Sequence, residues 1–445
     1  MKKFFTTIKN IFSIEELKNR IITTLLFLLV FRLGSFIVLP GINPDRLTSD
    51  SQGILGILNV FLGGAFNRAS VFALGIMPYI SASIVIQLAT LALPQLQKMQ
   101  KEGESGRKKV NQYTRFLTIA ITLFQSIAYI QGTIPAEAIV IDKMFFTISS
   151  VIILTSGTVF CMWLGEKITD KGIGNGISML IMIGIISRFP GALIEETISK
   201  NINGLIIFLL ELGALFAVVM GVVLLTQAVR RIPVQYAKQV VGRTAVSKKN
   251  LTGTRSFIPI KVNAAGVMPI IFAQALMFVP SMVASLFVEK SDFAASIATS
   301  FGDFKSWQYN LTFAILIIVF NFFYTAITIN PNQIADDMKR SGGFIPGVKP
   351  GEETSEYIGS IVDKITLPGA FFLALVAIMP AFASILKVGD QFAQFFGGTS
   401  LLIMVGVTID TLQQIQTYLL MQKYEGLMET GDVVGENIPV GDSAL

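Results

Sequence analysis

The chain reads as an all-α polytopic membrane protein with ten transmembrane helices. Two observations of composition and one of charge placement lead there. Of its 445 residues 52% are hydrophobic and only 14% charged, where soluble domains carry about 25% charged residues. Ten spans of about 20 residues take up roughly 200 residues and leave the rest for loops. Lys and Arg, finally, crowd onto alternate loops.

Hydropathy places the spans at 21–39, 70–93, 115–131, 145–165, 176–190, 204–227, 264–288, 310–330, 366–386 and 396–420. Before the first lies a basic, amphipathic stretch, residues 1–20, with Lys2, Lys3, Lys9, Lys18 and Arg20. The apolar run after it is too long for a signal peptide and lacks a small-residue cleavage site, so it reads as a retained helix preceded by a segment on the cytosolic face. Five spans then make a first half, 21–196, and five a second, 197–420, followed by a tail, 421–445. An odd number per half sends the second half in from the opposite side, the geometry of an inverted repeat, although no residue-level repeat is visible.

The loops fix the orientation. The N-terminus, the even-to-odd loops and the tail hold 26 of the 35 Lys and Arg, and the opposite loops hold 8. The positive-inside rule therefore puts both termini in the cytosol. The second half carries its two long cytosolic loops at 228–262 and 331–365.

Several chemistries are excluded by residue type. With no histidine and one cysteine, Cys161, the chain cannot build a Ser-His-Asp triad, an H-E-x-x-H zinc site, an intrachain disulfide or a Cys-ligated cluster. It contains no phosphate-loop motif; Gly172-Ile-Gly-Asn-Gly176 follows a hydrophobic span and reads as a tight turn into the next helix. No cofactor or metal is expected, and energy must come from a partner or a gradient.

Other stretches ask for more than ordinary spans. Residues 53–67, rich in glycine, would reach only about 22 Å as a helix, short of the ~30 Å hydrocarbon core. They suit either an interfacial helix or a short re-entrant one. The second span carries Pro78, Ser81, Ser83, Gln87 and Thr90, and the seventh carries Asn263, Pro269, Gln274, Pro280 and Ser281. Such faces should meet other helices or a water-filled cavity. Charges deep within spans, away from their ends, are few (Arg32, Glu211 and Asp410), and nothing in the sequence pairs them. From Arg230 to Lys261 run eight basic residues and no acid, a surface for lipid headgroups, RNA phosphates or an acidic partner.

Six stretches are shared with a known family: "FALGIMPYISASIVIQL" (72–88), "KEGESGRKKVNQYTR" (101–115), "GIGNGIS" (172–178), "KVNAAGVMP" (261–269), "GFIPGVKPGEETSEYI" (343–358) and "FGGTSLLI" (396–403). On these the chain resembles the SecY family of bacterial protein-conducting channel subunits over nearly its whole length. The resemblance implies two five-helix halves around an hourglass pore, sealed by an apolar ring and a short re-entrant plug helix. The ring falls on Ile80, Ile84, Ile177, Ile181, Ile271 and Ile403. The plug falls on 53–67, with Gly53, Ile54, Leu55, Leu58, Asn59, Phe61, Leu62, Gly63 and Gly64. A lateral gate between the second and seventh spans draws on Gln87, Thr90 and Asn263.

The resemblance also implies partners: SecE-like and SecG-like subunits, the SecA ATPase, the ribosome, unfolded secretory polypeptides and membrane lipids. Its cytosolic docking surface maps to Arg230, Arg231, Lys238, Arg243, Lys339, Arg340 and Lys349. Two positions depart from the family pattern: Lys349 stands where many relatives have arginine, and Thr244 where they have a second basic residue. Lysine keeps the charge but loses the bidentate fork. The implied function is a passive polypeptide channel of the bacterial cytoplasmic membrane, not an enzyme. Secondary transport of a small solute and a ribosome-binding scaffold are the other readings. A transporter needs midplane charge pairs that the spans do not offer, and a scaffold needs neither a plug-like segment nor two weakly apolar helices.

Overall fold

A computed structural model describes residues 14–47, 62–200, 204–236, 255–274, 276–277, 300, 303 and 305–429. Its helices are α1 (Glu15–Gly34), α2 (Met77–Ala92), α3 (Pro94–Lys101), α4 (Glu104–Thr133), α5 (Lys143–Lys171), α6 (Gly176–Ser199) and α7 (Leu205–Gln227). Then come α8 (268–274), α9 (Trp307–Thr328), α10 (Pro331–Arg340), α11 (Glu352–Ile385), the single turn α12 (Asp390–Ala393) and α13 (Gly398–Glu429). Nine of the ten expected spans fall on these helices; of the seventh, 264–288, only the start lies on α8, and 275 and 278–288 are outside the described residues. Among the described residues six helices are long and apolar enough to cross a membrane by length and composition alone. The protein is a multi-pass membrane protein.

Local chemistry explains where the helices begin and end. α1 begins at Glu15, with Glu15 and Glu16 in its first turn where the positive end of the helix dipole favours them. Residues 15–20 thus extend the first span rather than lying apart from it; residues 1–13 are outside the described residues. The first span stops at Gly34 instead of 39, because 37–39 turn to pair with 69–71: Leu39 N donates to Ala69 O and Val71 N to Ile37 O, each at 2.9 Å. The second span starts at Met77 instead of 70, after turns in which Gly75 takes φ +51° and Ala69 +48°. It ends where Pro94 forces Leu93 into extended backbone and opens α3. The Asn175 side chain caps α6 by accepting from Ile177 N and Ser178 N.

The helices pack in two groups. In the first, α5 touches α1, α2, α4 and α6, and α2 lies along α4. Thr114, Thr118 and Thr122 give α4 a buried face of small residues, each hydroxyl returned to the carbonyl four residues back. In the second group α9 lies along α11, and both α7 and α13 pack on α11. The groups meet where α6 packs against α13, α7 and α12.

The fold is not wholly helical. The strands β1 (Val229–Tyr236), β2 (Arg255–Lys261) and β3 (Gly343–Phe344) form an antiparallel sheet in the order β2-β1-β3. Ile232, Val234 and Ile260 from the sheet bury against Met338, Ile345, Ile358 and Val362. The described parts of the two long loops of the second half, 228–236 with 255–262 and 331–365, are therefore one folded unit, seated on the end of α11.

Candidate functional site

Five of the six ring isoleucines come together. Ile181 of α6 and Ile403 of α13 are 7% and 2% exposed within one apolar cluster. Ile80 of α2, Ile177 of α6 and Ile271 of α8 pack against it, partly buried. The five side chains thus belong to one extended apolar cluster, drawn from four helices and from both packing groups. Ile84, one turn beyond Ile80, is half-buried and lies outside that cluster. Met182 and Met404 join the cluster without having been singled out in the sequence, and Thr408 donates to Met182 Sδ at 3.8 Å across the α6–α13 seam. Thioethers adapt their shape to a neighbour, which suits a constriction.

Of the expected plug, Gly53, Ile54, Leu55, Leu58, Asn59 and Phe61 lie outside the described residues. Leu62 is buried with Ala65, Phe66, Leu74, Tyr129 and Phe146. Gly63 and Gly64 take φ +61° and +86°, backbone that favours glycine. Arg32 Nη1 donates to Gly63 O at 3.0 Å. The arginine within the first span thus ends on the segment that follows 53–61. A Cβ on Gly63 would stand 2.7 Å from Arg32 Nη1 and 2.9 Å from Ser187 Oγ, so the turn is fitted between α1 and α6.

The gate residues bond locally. Gln87 Nε2 donates to Ser83 Oγ at 3.4 Å and Thr90 Oγ1 to Ile86 O at 2.8 Å, both within α2. Asn263 is buried, with its Oδ1 unpartnered. Further along, Gln274 Oε1 accepts from Thr399 Oγ1 at 2.7 Å, tying α8 to α13. Of the docking residues, Arg230 and Arg231 lie exposed on β1, Lys339 and Arg340 at the exposed end of α10, and Lys349 is exposed beside Glu353 at 3.3 Å. All five belong to the folded unit of the sheet, α10 and the start of α11, with the consecutive Arg230 and Arg231 on opposite faces of β1. Lys238 and Arg243 lie outside the described residues.

The sequence model of the SecY family matches residues 70–412. The chain belongs to the SecY family. It is 41% identical over 442 residues to the protein translocase subunit SecY of Streptomyces griseus, covering 95% of this chain and all of that one. Among solved structures it is similar to a protein-conducting channel, with TM-score 0.63 and 18% identity over 94% of this chain and 95% of that one. It is also similar to Sec61 in a canine ribosome-channel complex, with TM-score 0.59 and 17% identity over 94% and 95% of the two chains. The SecY fold is therefore shared at low identity.

In this SecY-family chain the seam between the packing groups is fastened by residues that the sequence alone did not single out. The turn before α6 offers its amides to both groups: Ile173 N donates to Thr24 Oγ1 of α1 at 3.0 Å, and Gly174 N to Gln414 Oε1 of α13 at 2.8 Å. Arg20 donates to Gly172 O at 3.4 Å and stacks over the Tyr418 ring at 5.3 Å. The glycine motif did signal a turn, but not the helices it joins. At the far end of α6, Lys200 pairs with both Glu196 and Glu211. Asp410, the third charge within a span, is exposed.

Proposed function

We propose that this chain is the pore-forming subunit of a protein-conducting channel, passing unfolded polypeptides through the apolar constriction built by Ile80, Ile177, Ile181, Ile271 and Ile403. The carrying observation is that these five isoleucines, from four helices and both packing groups, converge in one cluster. A collar of this kind makes a hydrated ion shed water without replacement ligands, yet it yields to a sliding chain. Ile84 extends the α2 face toward the same axis as an outer member of the ring. Residues 53–67 act as the plug, anchored at Leu62–Gly64 beside Arg32.

Apolar segments leave sideways between α2 and α8, past Gln87, Thr90 and Asn263. Partitioning at about 0.3–0.6 kcal/mol per large aliphatic residue drives them into lipid once that seam parts. The two halves are 21–196 and 197–420. SecE-like and SecG-like subunits cover exposed apolar helix faces, and SecA or a translating ribosome docks on the basic platform. The Sec61 relative in its ribosome complex supports that use of the platform. Both termini lie in the cytosol of a bacterium, with the chain in its cytoplasmic membrane. Small-solute transport is less well supported, because among the described residues the buried charge cluster of Glu196, Lys200 and Glu211 sits at the end of α6 and not midway along a span.

Cysteine crosslinking to a stalled secretory chain tests the reading. Cysteines at Ile181 or Ile271, in a Cys161→Ser background, should link to the stalled chain. Links confined to exposed platform positions such as Arg230 would mean docking without passage.

A further inference from the structure

The chain passes from its first packing group to its second between α6 and α7, and three ionisable side chains close that crossing. Glu196 lies in the last turn of α6, Lys200 caps that helix, and Glu211 lies in the second turn of α7. Lys200 Nζ stands 3.1 Å from Glu196 Oε1 and pairs directly with Glu211 Oε1. The side chains of Glu196, Lys200 and Glu211 are 3%, 15% and 7% exposed. Glu196 Oε2 accepts from Gly389 N at 2.9 Å, in the turn between α11 and α12. A Cβ at Gly389 would stand 2.2 Å from that oxygen, so only glycine admits the carboxylate. One lysine and two carboxyls thus join α6, α7 and the α11–α12 turn.

The surroundings are apolar. Phe189 of α6 packs on Phe395 at 5.2 Å and on Phe392 at 6.4 Å, and Phe208 of α7 lies 6.5 Å from Phe392. In such a setting each charge depends on its partner, and removing one member leaves the others unpaired and desolvated. The group carries two carboxyls for one ammonium, and Glu196 Oε1 and Glu211 Oε2 are both buried with no hydrogen-bond partner. Lys200 is therefore its keystone; of the two carboxyls Glu196 is held also by Gly389 N, so Glu211 is the charge less needed.

We propose that Glu196, Lys200 and Glu211 are positioning residues that hold the two helix groups together at their crossing and so limit how far they part when the channel opens. The consequence for opening rests on the channel reading above; the joint itself does not. The charge arithmetic sets an order that a packing role would not. Lys200→Met leaves two buried carboxyls without a counter-charge and loosens the joint. Glu211→Gln leaves the Glu196–Lys200 pair balanced and keeps a hydrogen-bond acceptor opposite Lys200, so it loosens the joint less than Lys200→Met does. Adding Glu211→Gln to Lys200→Met removes one of the two opposed carboxyls and partly restores the joint.

The experiment places spin labels on cysteines at Phe124 of α4 and Leu311 of α9, both exposed, in the Cys161→Ser chain reconstituted with its partner subunits. Lys200→Met should broaden the inter-label distance distribution and raise resting ion conductance severalfold; Glu211→Gln alone should change both least, and the double variant should fall between. Unchanged distances in folded Lys200→Met, or a double variant broader than Lys200→Met, would overturn the proposal. Broadening without any change in conductance supports the joint and counts against the channel reading instead. If Lys200→Met does not fold, the exchanged pair Lys200→Glu with Glu211→Lys carries the test. It should match the unmodified chain, and a distribution as broad as that of Glu211→Lys alone would overturn the proposal.

Discussion

Gly174 N donates to Gln414 Oε1 at 2.8 Å, joining the turn before α6 to α13 across 240 residues of chain. Gly174 takes φ +83°, and a Cβ there would press on Thr411 Oγ1 at 3.1 Å. Positive-φ backbone thus turns an amide toward the opposite helix group. With the Glu196–Gly389 contact at the other end of α6, that helix is tied to the second packing group at both ends, whereas among the described residues Gln87 and Thr90 on α2 bond within their own helix.

Gln414→Leu should remove the acceptor of a part-buried amide while keeping side-chain bulk. A loss of about 1–3 kcal/mol is expected, the usual cost of stranding such a donor. Thermal unfolding of the detergent-purified chain measures it; an unchanged midpoint would mean that water replaces the glutamine.

Gly63→Ala and Gly266→Ala separate strain from crowding. Both glycines have positive φ, +61° and +64°, but a Cβ at Gly266 meets nothing within 4 Å, while one at Gly63 meets Arg32 and Ser187. Alanine at Gly266 should cost about 1 kcal/mol, and alanine at Gly63 clearly more. Equal shifts in melting temperature would show that the Gly63 turn yields freely.

Ile181→Ser should raise ion leakage through the resting channel more than Ile84→Ser does. Ile181 is buried in the shared cluster, and Ile84 stands outside it. Conductance of single channels in planar bilayers ranks the two, and a reversed order would move the constriction toward Ile84.

Tyr129→Phe tests the anchor under the plug segment. Tyr129 Oη donates to Phe66 O at 2.5 Å, and the two rings meet edge to face at 4.7 Å. The ring survives in phenylalanine, so the expected loss is that of one buried hydrogen bond, about 1 kcal/mol or somewhat more for the carbonyl left behind. Faster proteolysis near residues 62–70 is the readout, and unchanged cleavage would count against the anchor.

Ile358→Ala should open a cavity beneath the sheet, since this residue of α11 is fully buried among Ile232, Val234, Ile260 and Met338. A cost of about 2–5 kcal/mol is expected. Ribosome binding should weaken while resting ion leakage stays unchanged; leakage without weakened binding would show that the platform is coupled to the pore.

The membrane spans were legible in the chain, because lipid imposes a local demand: each span must satisfy its own backbone and present about 20 apolar residues. The family, and with it the proposed collar, was legible only through shared motifs, since an isoleucine pair such as Ile177 and Ile181 reads the same whether it faces lipid, a neighbour or a pore. The sheet went unseen. "VRRIPVQY" and "RSFIPIK" alternate as strands do, but their pairing, Ile232 opposite Ile258, spans 26 residues and is decided by a third element, the end of α11. Glu211 shows the same limit. Its partner Lys200 stands eleven residues earlier, on the other side of the turn into α7. Residue type and hydropathy determined which segments cross the membrane, since those are properties of each segment alone. Which charges pair, which isoleucines meet and where the two groups are fastened were decided only by tertiary packing, because they depend on the distance between residues far apart in the chain.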